Sequence, residues 1–310
     1  MEISLILAQE IVKLFLVMIM GYIIVKCNLL KVDDSRTLSV VLVYLVTPCV
    51  IIDAFQVNYS PEVRNGLLFA FSMAIGVHIV FIFMTKLLAT IFHLHIIEQI
   101  NIIYTNAGIL VIPLINALLG KEYVIYSCGF IVVQIILLWT HCRKLLCNDE
   151  HISLKDILLN VNIISIIIGF VLFIFHLSLP DFIKGTLDMT GIMIGPLGMM
   201  LAGMVIAKTP ILKLFVVLKN YLAVFLRLIA FPIIILAIFI AIGASDMVTD
   251  GKNILLTVYL ASITPACATV TSMAQLYKKD AIYSSTLYVL TTLLSIITMP
   301  LMIYLFDTFI

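Results

Sequence analysis

Long apolar runs separated by short polar stretches fill the chain from end to end. On the ruler of about 20 apolar residues per crossing of a hydrocarbon core, there are ten such runs: Ser4–Val25, Leu38–Val57, Leu67–Phe92, Ile100–Leu119, Val124–His141, Ile157–Leu177, Leu187–Ala207, Leu214–Ile242, Ile254–Leu276 and Ala281–Phe306. No gap between them is long enough for a soluble domain, and the longest, residues 142–156, reads as a cytoplasmic linker. It separates a first set of five runs, residues 1–141, from a second, residues 157–310. The expected fold is an all-α polytopic membrane protein of ten transmembrane helices.

The fourth and ninth runs are interrupted. Within the fourth, Pro113 removes a backbone donor and crowds the preceding turn, Gly108 lowers the cost of leaving helical geometry, and Asn106 places an amide beside both. In the ninth, Thr264-Pro265 is followed by Thr269, Thr271 and Ser272. Other landmarks recur in order, with Pro48 in the second run answered by Pro196 in the seventh. Five is an odd number, so the second set enters the membrane with opposite orientation. That is the arithmetic of two inverted five-helix repeats with broken crossover helices 4 and 9. Corresponding broken helices in two halves point to a transporter's binding site.

Composition agrees with a membrane solvent: 63% of residues are hydrophobic, 11% are charged, and the mean hydropathy is +1.23. A soluble domain carries about a quarter charged residues. The net charge of +1 and the lack of a basic, aromatic-interleaved tract exclude nucleic acid as a partner. The first run follows Met1-Glu2 without a small-residue cleavage site and is expected to be a retained helix. Cytoplasmic loops collect Lys and Arg. Twelve such residues fall at odd loops (Lys26, Lys31, Arg36, Lys86, Arg143, Lys144, Lys155, Lys208, Lys213, Lys219, Lys278, Lys279) and four at even ones (Arg64, Lys121, Lys184, Lys252). Both termini are therefore expected outside, in a multi-pass protein of the cell membrane.

Three stretches carry a family resemblance: Asn106-Ala-Gly108-Ile-Leu-Val-Ile-Pro113-Leu, Tyr44-Leu-Val-Thr-Pro48-Cys-Val-Ile-Ile, and the run from Pro265 to Asp280. Together they resemble the auxin efflux carrier family, in its bacterial form without a long cytoplasmic loop. The resemblance covers nearly the whole chain. It implies two five-helix repeats, broken fourth and ninth helices crossing at the centre, and carriage of organic anions such as carboxylates. Where many relatives have Asn a few residues after the ninth-helix proline, this chain has Thr269. A hydroxyl offers one donor where an amide offers two, which leaves the substrate open.

Freed backbone groups cannot stay unpaired in hydrocarbon, so a break must be buried in protein or line a wet cavity. Expected substrate-binding residues are Asn106, Gly108 and Pro113 in the fourth run, Thr264, Pro265 and Thr269 in the ninth, and Thr47 and Pro48, which are expected to break the second run opposite the cavity. Helix cross-linking or packing is the competing role for each. Ionisable residues inside spans are functional candidates by default, which singles out Glu10, Asp53 and Arg227 for coupling or charge compensation. Glu10 sits three before Lys13, close enough to pair, and Arg227 has snorkelling to the interface as its alternative. His141, Cys142, Cys147 and His151 have zinc-ligand chemistry at a spacing that fits no strong site, so no metal is expected. His78 and the methionines of the seventh run, Met193, Met199, Met200 and Met204, read as packing residues.

No phosphate-binding glycine loop, nucleophile elbow or His-Glu-x-x-His helix occurs, so neither enzyme activity nor a cofactor is expected. The leading expectation is a secondary transporter for a small organic anion, working by alternating access with proton or sodium coupling, in the lipid bilayer, with a homodimer left open. A cation/proton antiporter of related fold and a membrane sensor that binds without carrying are the alternatives.

Overall fold

The computed structural model describes residues 2–147, 158–207 and 218–310. Much of the expected linker, including His151 and Lys155, and the start of the eighth run lie outside the described residues. The helices, in chain order, are α1 (Glu2–Lys26), α2 (Val32–Ala54), α3 (Pro61–Phe92), α4 (Ile96–Ile103), α5 (Ala107–Leu118), α6 (Lys121–Cys147), α7 (Val161–Ile174), α8 (Asp181–Ala207), α9 (Asn220–Ala241), α10 (Gly251–Ile263), α11 (Ala268–Leu276) and α12 (Ala281–Phe309). Among them α2, α3, α6, α8, α9 and α12 are long and apolar enough to cross a membrane, and α5, α7 and α10 are shorter apolar helices. Among the described residues the only β pairing is one isolated antiparallel bridge, Thr105 to Ala266.

The fourth run is divided between α4 and α5, and the ninth between α10 and α11. The fourth divides earlier than its proline suggests. Pro113 lies inside α5, and the gap falls at 104–106. Pro265, by contrast, stands in the ninth-run gap itself, between the end of α10 and the start of α11. The second run widens instead of breaking: residues Leu42–Val46 form a π turn just before Thr47-Pro48, and the Thr47 N–H and hydroxyl both reach the Leu42 carbonyl. One extra residue per turn moves the chain past a ring that would otherwise clash with the preceding carbonyl. A second π turn, Leu226–Ala230 in α9, stands just before Phe231-Pro232 for the same reason.

The helices sort into two groups. In one, α1 packs along α8, and α2 packs along α7 and α8. In the other, α3 packs on α6, α10 and α4, while α12 packs on α9, α11 and α4. They meet where α5 lies against α1 and α8 and where α12 lies along α1. Each group draws helices from both sequence halves. The α1–α8 contact is a backbone-to-backbone approach, because a methyl on Gly21 would strike the Met200 carbonyl and one on Gly203 the Met18 carbonyl. Close approach through small residues is how membrane helices gain packing energy without a hydrophobic drive.

Candidate functional site: the crossing of two interrupted helices

The two gaps run antiparallel across each other. Asn106 N–H donates to the Pro265 carbonyl (2.9 Å) and Cys267 N–H to the Tyr104 carbonyl (3.0 Å), either side of the Thr105–Ala266 bridge. Neighbouring helices satisfy what this pairing leaves over. From α6, Gln134 accepts from the Thr105 N–H (3.0 Å) and hydroxyl (2.8 Å) and returns its amide to the Thr105 carbonyl (2.8 Å). From α12, the Thr291 hydroxyl accepts the Ala266 N–H (3.1 Å). Tyr104 donates its hydroxyl to the Leu137 carbonyl (3.0 Å) and lies 2.9 Å from His141 Nδ1. Interrupting a helix inside a membrane is tolerable only with such an accounting.

Arg227 completes it. Its side chain is 0% exposed, so it does not snorkel. Nε donates to the Thr264 carbonyl (3.0 Å), Nη2 to Thr264 (2.6 Å) and Ser262, and Nη1 to the Ile102 carbonyl (3.1 Å). The guanidinium also lies over the Phe81 ring, 5.2 Å from its centre. These carbonyls end α4 and α10, where the helix dipole is negative. One buried cation thus serves the negative ends of both leading half-helices.

The positive ends of the trailing half-helices carry no such charge. Asn106 is the N-cap of α5, is only 4% exposed, and among the described residues its side-chain amide has no hydrogen-bond partner. Beside it, a methyl added to Gly108 would meet nothing within 4 Å. Here a buried donor-and-acceptor group stands at a helix N-terminus, an arrangement suited to a negatively charged oxygen.

The other expected residues fall in several places. Thr264 and Pro265 are buried in the ninth-run gap, but the Thr264 hydroxyl is occupied by the Ala261 carbonyl (3.1 Å). Thr269 lies exposed in the first turn of α11. Pro113 packs against Gly195 of α8, where an added methyl would come within 3.2 Å of its Cβ. Thr47 and Pro48 belong to the π-widened part of α2, with the Thr47 hydroxyl already bonded. Glu10 and Lys13 pair with each other on the outer face of α1. Asp53, at the end of α2, pairs with Lys121 (2.7 Å). His78 is buried, with Nδ1 2.8 Å from the Ala74 carbonyl and its ring against Phe130. Among the described residues no group of three metal-ligating side chains converges, and His141 is engaged with Tyr104.

Sequence reasoning missed Gln134, Tyr104, Thr291 and Lys121. Gln134 had a readable signal, as an amide in the middle of an apolar run. Thr291 had none, because hydroxyls are scattered throughout the last two runs.

A cavity of about 380 Å³ opens between α2, α6, α7 and α11, with Val43, Tyr44, Trp139, Arg143, Val161 and Leu276 in its wall. It lies past the crossing along α6, since Trp139 follows two residues after the Leu137 carbonyl that holds Tyr104.

These features define a multi-pass, all-helical membrane protein built around two interrupted helices. The membrane transport protein family model matches residues 6–152 and again residues 143–303, so the chain belongs to that family, the auxin efflux carriers, and is a membrane transporter. No curated protein matches it.

Proposed function

We propose that the chain is a secondary transporter that moves a small organic anion of the carboxylate type by alternating access, with its site at the crossing. The ten runs act as transmembrane helices in two inverted repeats, with both termini outside. The observation that carries this reading is the asymmetry of charge at the crossing. Arg227 neutralises the negative helix ends, while the Asn106 amide and the α5 N-terminus stand unpartnered beside the open space at Gly108. A carboxylate there would accept from Asn106 and from the first free N–H groups of α5.

The test is uptake and binding in proteoliposomes against a panel of mono- and dicarboxylates, with proton and sodium gradients imposed separately. A hydrogen bond to a charged group contributes roughly 1.5–3 kcal/mol, so Asn106→Ala is expected to weaken binding about tenfold to a hundredfold with thermal stability nearly intact. Thr269→Ala should act in the same direction and more mildly. Unchanged affinity in a well-folded Asn106→Ala protein sinks the site. Sodium/proton exchange without any carboxylate replaces the anion reading with the antiporter, and binding without flux replaces it with the sensor.

A further inference from the structure

Lys121, the first residue of α6, reaches out of its own helix group to two carboxylates of the other. Its Nζ lies 2.7 Å from Asp53 Oδ2, at the end of α2, and 2.7 Å from Asp188 Oδ1, on α8. The Asp53 side chain is 10% exposed while the other two are half exposed, so one member of the triad is shielded from solvent. An ion pair so shielded is screened by salt much less than one on an open surface. Further along the same seam, toward the crossing, the groups are in van der Waals contact, with Pro113 of α5 on Gly195 of α8 and Ile109 of α5 on Gly198 of α8.

Toward the other end of α6 a cavity stands between the two groups. The cavity between α2, α6, α7 and α11 is walled by Trp139 and Arg143 of the same α6, roughly 30 Å from Lys121 at 1.5 Å per residue. Closure by a salt bridge at one end of α6 thus coexists with an opening at the other.

We propose that Lys121, clasping Asp53 and Asp188, is a latch that holds the two helix groups shut at this end and thereby keeps the cavity end open. The inference rests on the alternating-access reading and concerns which residues set the balance between its states. Removing the lysine takes the cation out of the seam and leaves both carboxylates, which belong to one group, without their partner on the other, so the attraction between the groups at this point is lost. Movement of one group against the other then opens this end and closes the cavity, because a population shift moves both ends at once.

No substrate is needed to test this. In a cysteine-free full-length protein purified in detergent, single reporters are introduced as Ile109→Cys, at the α5–α8 contact, and Val43→Cys, in the cavity wall. Their rates of reaction with a soluble maleimide are then compared with and without Lys121→Ala. Reaction at position 109 is expected to rise several-fold to about tenfold, while reaction at position 43 falls; Lys121→Arg should keep both rates near the parent's. If Lys121→Ala does not fold, Asp53→Asn combined with Asp188→Asn should give the same pair of opposite changes. Any other pattern overturns the latch, including both rates rising together, which is what simple loosening of the fold would produce. Opposite changes in a protein that carries no carboxylate keep the latch and remove only the anion assignment.

Discussion

Arg227 ties the ends of two half-helices together through their main-chain carbonyls. Among the described residues no carboxylate pairs with it; the acceptors belong to Ile102, Ser262 and Thr264. Arg227→Met would keep most of the volume and leave those carbonyls buried without donors, each costing about 1–3 kcal/mol. The expected result is a loss of about 3 kcal/mol or more of stability, read as a large drop in the unfolding midpoint in detergent. Arg227→Lys should recover part of it, because one ammonium cannot span both helix ends as the planar fork does. A midpoint within a degree of the parent's in Arg227→Met would mean that the carbonyls find other donors.

At the scale of elements, the two interrupted runs were legible as interrupted, and the location of one interruption was not. Pro113 is the loudest local signal in the fourth run, yet it is absorbed in α5. The gap at 104–106 follows from something no local rule contains: the extended segment at 265–267 and the amide of Gln134 take up the backbone hydrogen bonds that the helix would have made. Gln134→Leu would strip both Thr105 backbone groups of partners at near-constant volume. It is expected to cost about 2–4 kcal/mol by the same reckoning, and amide exchange around Thr105 should accelerate. The tight α1–α8 approach was likewise hidden, because Gly21 and Gly203 are ordinary glycines until their facing carbonyls are known. Gly203→Leu should force α1 away from α8 and lower the unfolding midpoint, whereas Gly76→Leu, with open space at its Cβ, should do so far less.

For the whole molecule, hydropathy gave the number of runs and the family resemblance gave the character of the protein, but neither gave the sorting of helices into two groups. That sorting cuts across the sequence halves, pairing α1 and α2 with α7 and α8. Fragments carrying residues 1–147 and 158–310 are expected to be degraded when expressed singly and to accumulate as a complex when expressed together; stable accumulation of the first fragment alone would contradict this. The crossing also sets a schedule for synthesis. Asn106 finds its backbone partner on Pro265, Tyr104 on Cys267, and Ile102 its cation on Arg227, so the first gap enters the bilayer long before anything can complete it. At roughly 5–20 residues per second, the ribosome needs about 10–30 s to deliver the second gap. During that interval the nascent first half holds an unfinished helix that water, lipid headgroups or the insertion machinery must shelter, and a slow translation step placed between the halves would lengthen its exposure to membrane proteases.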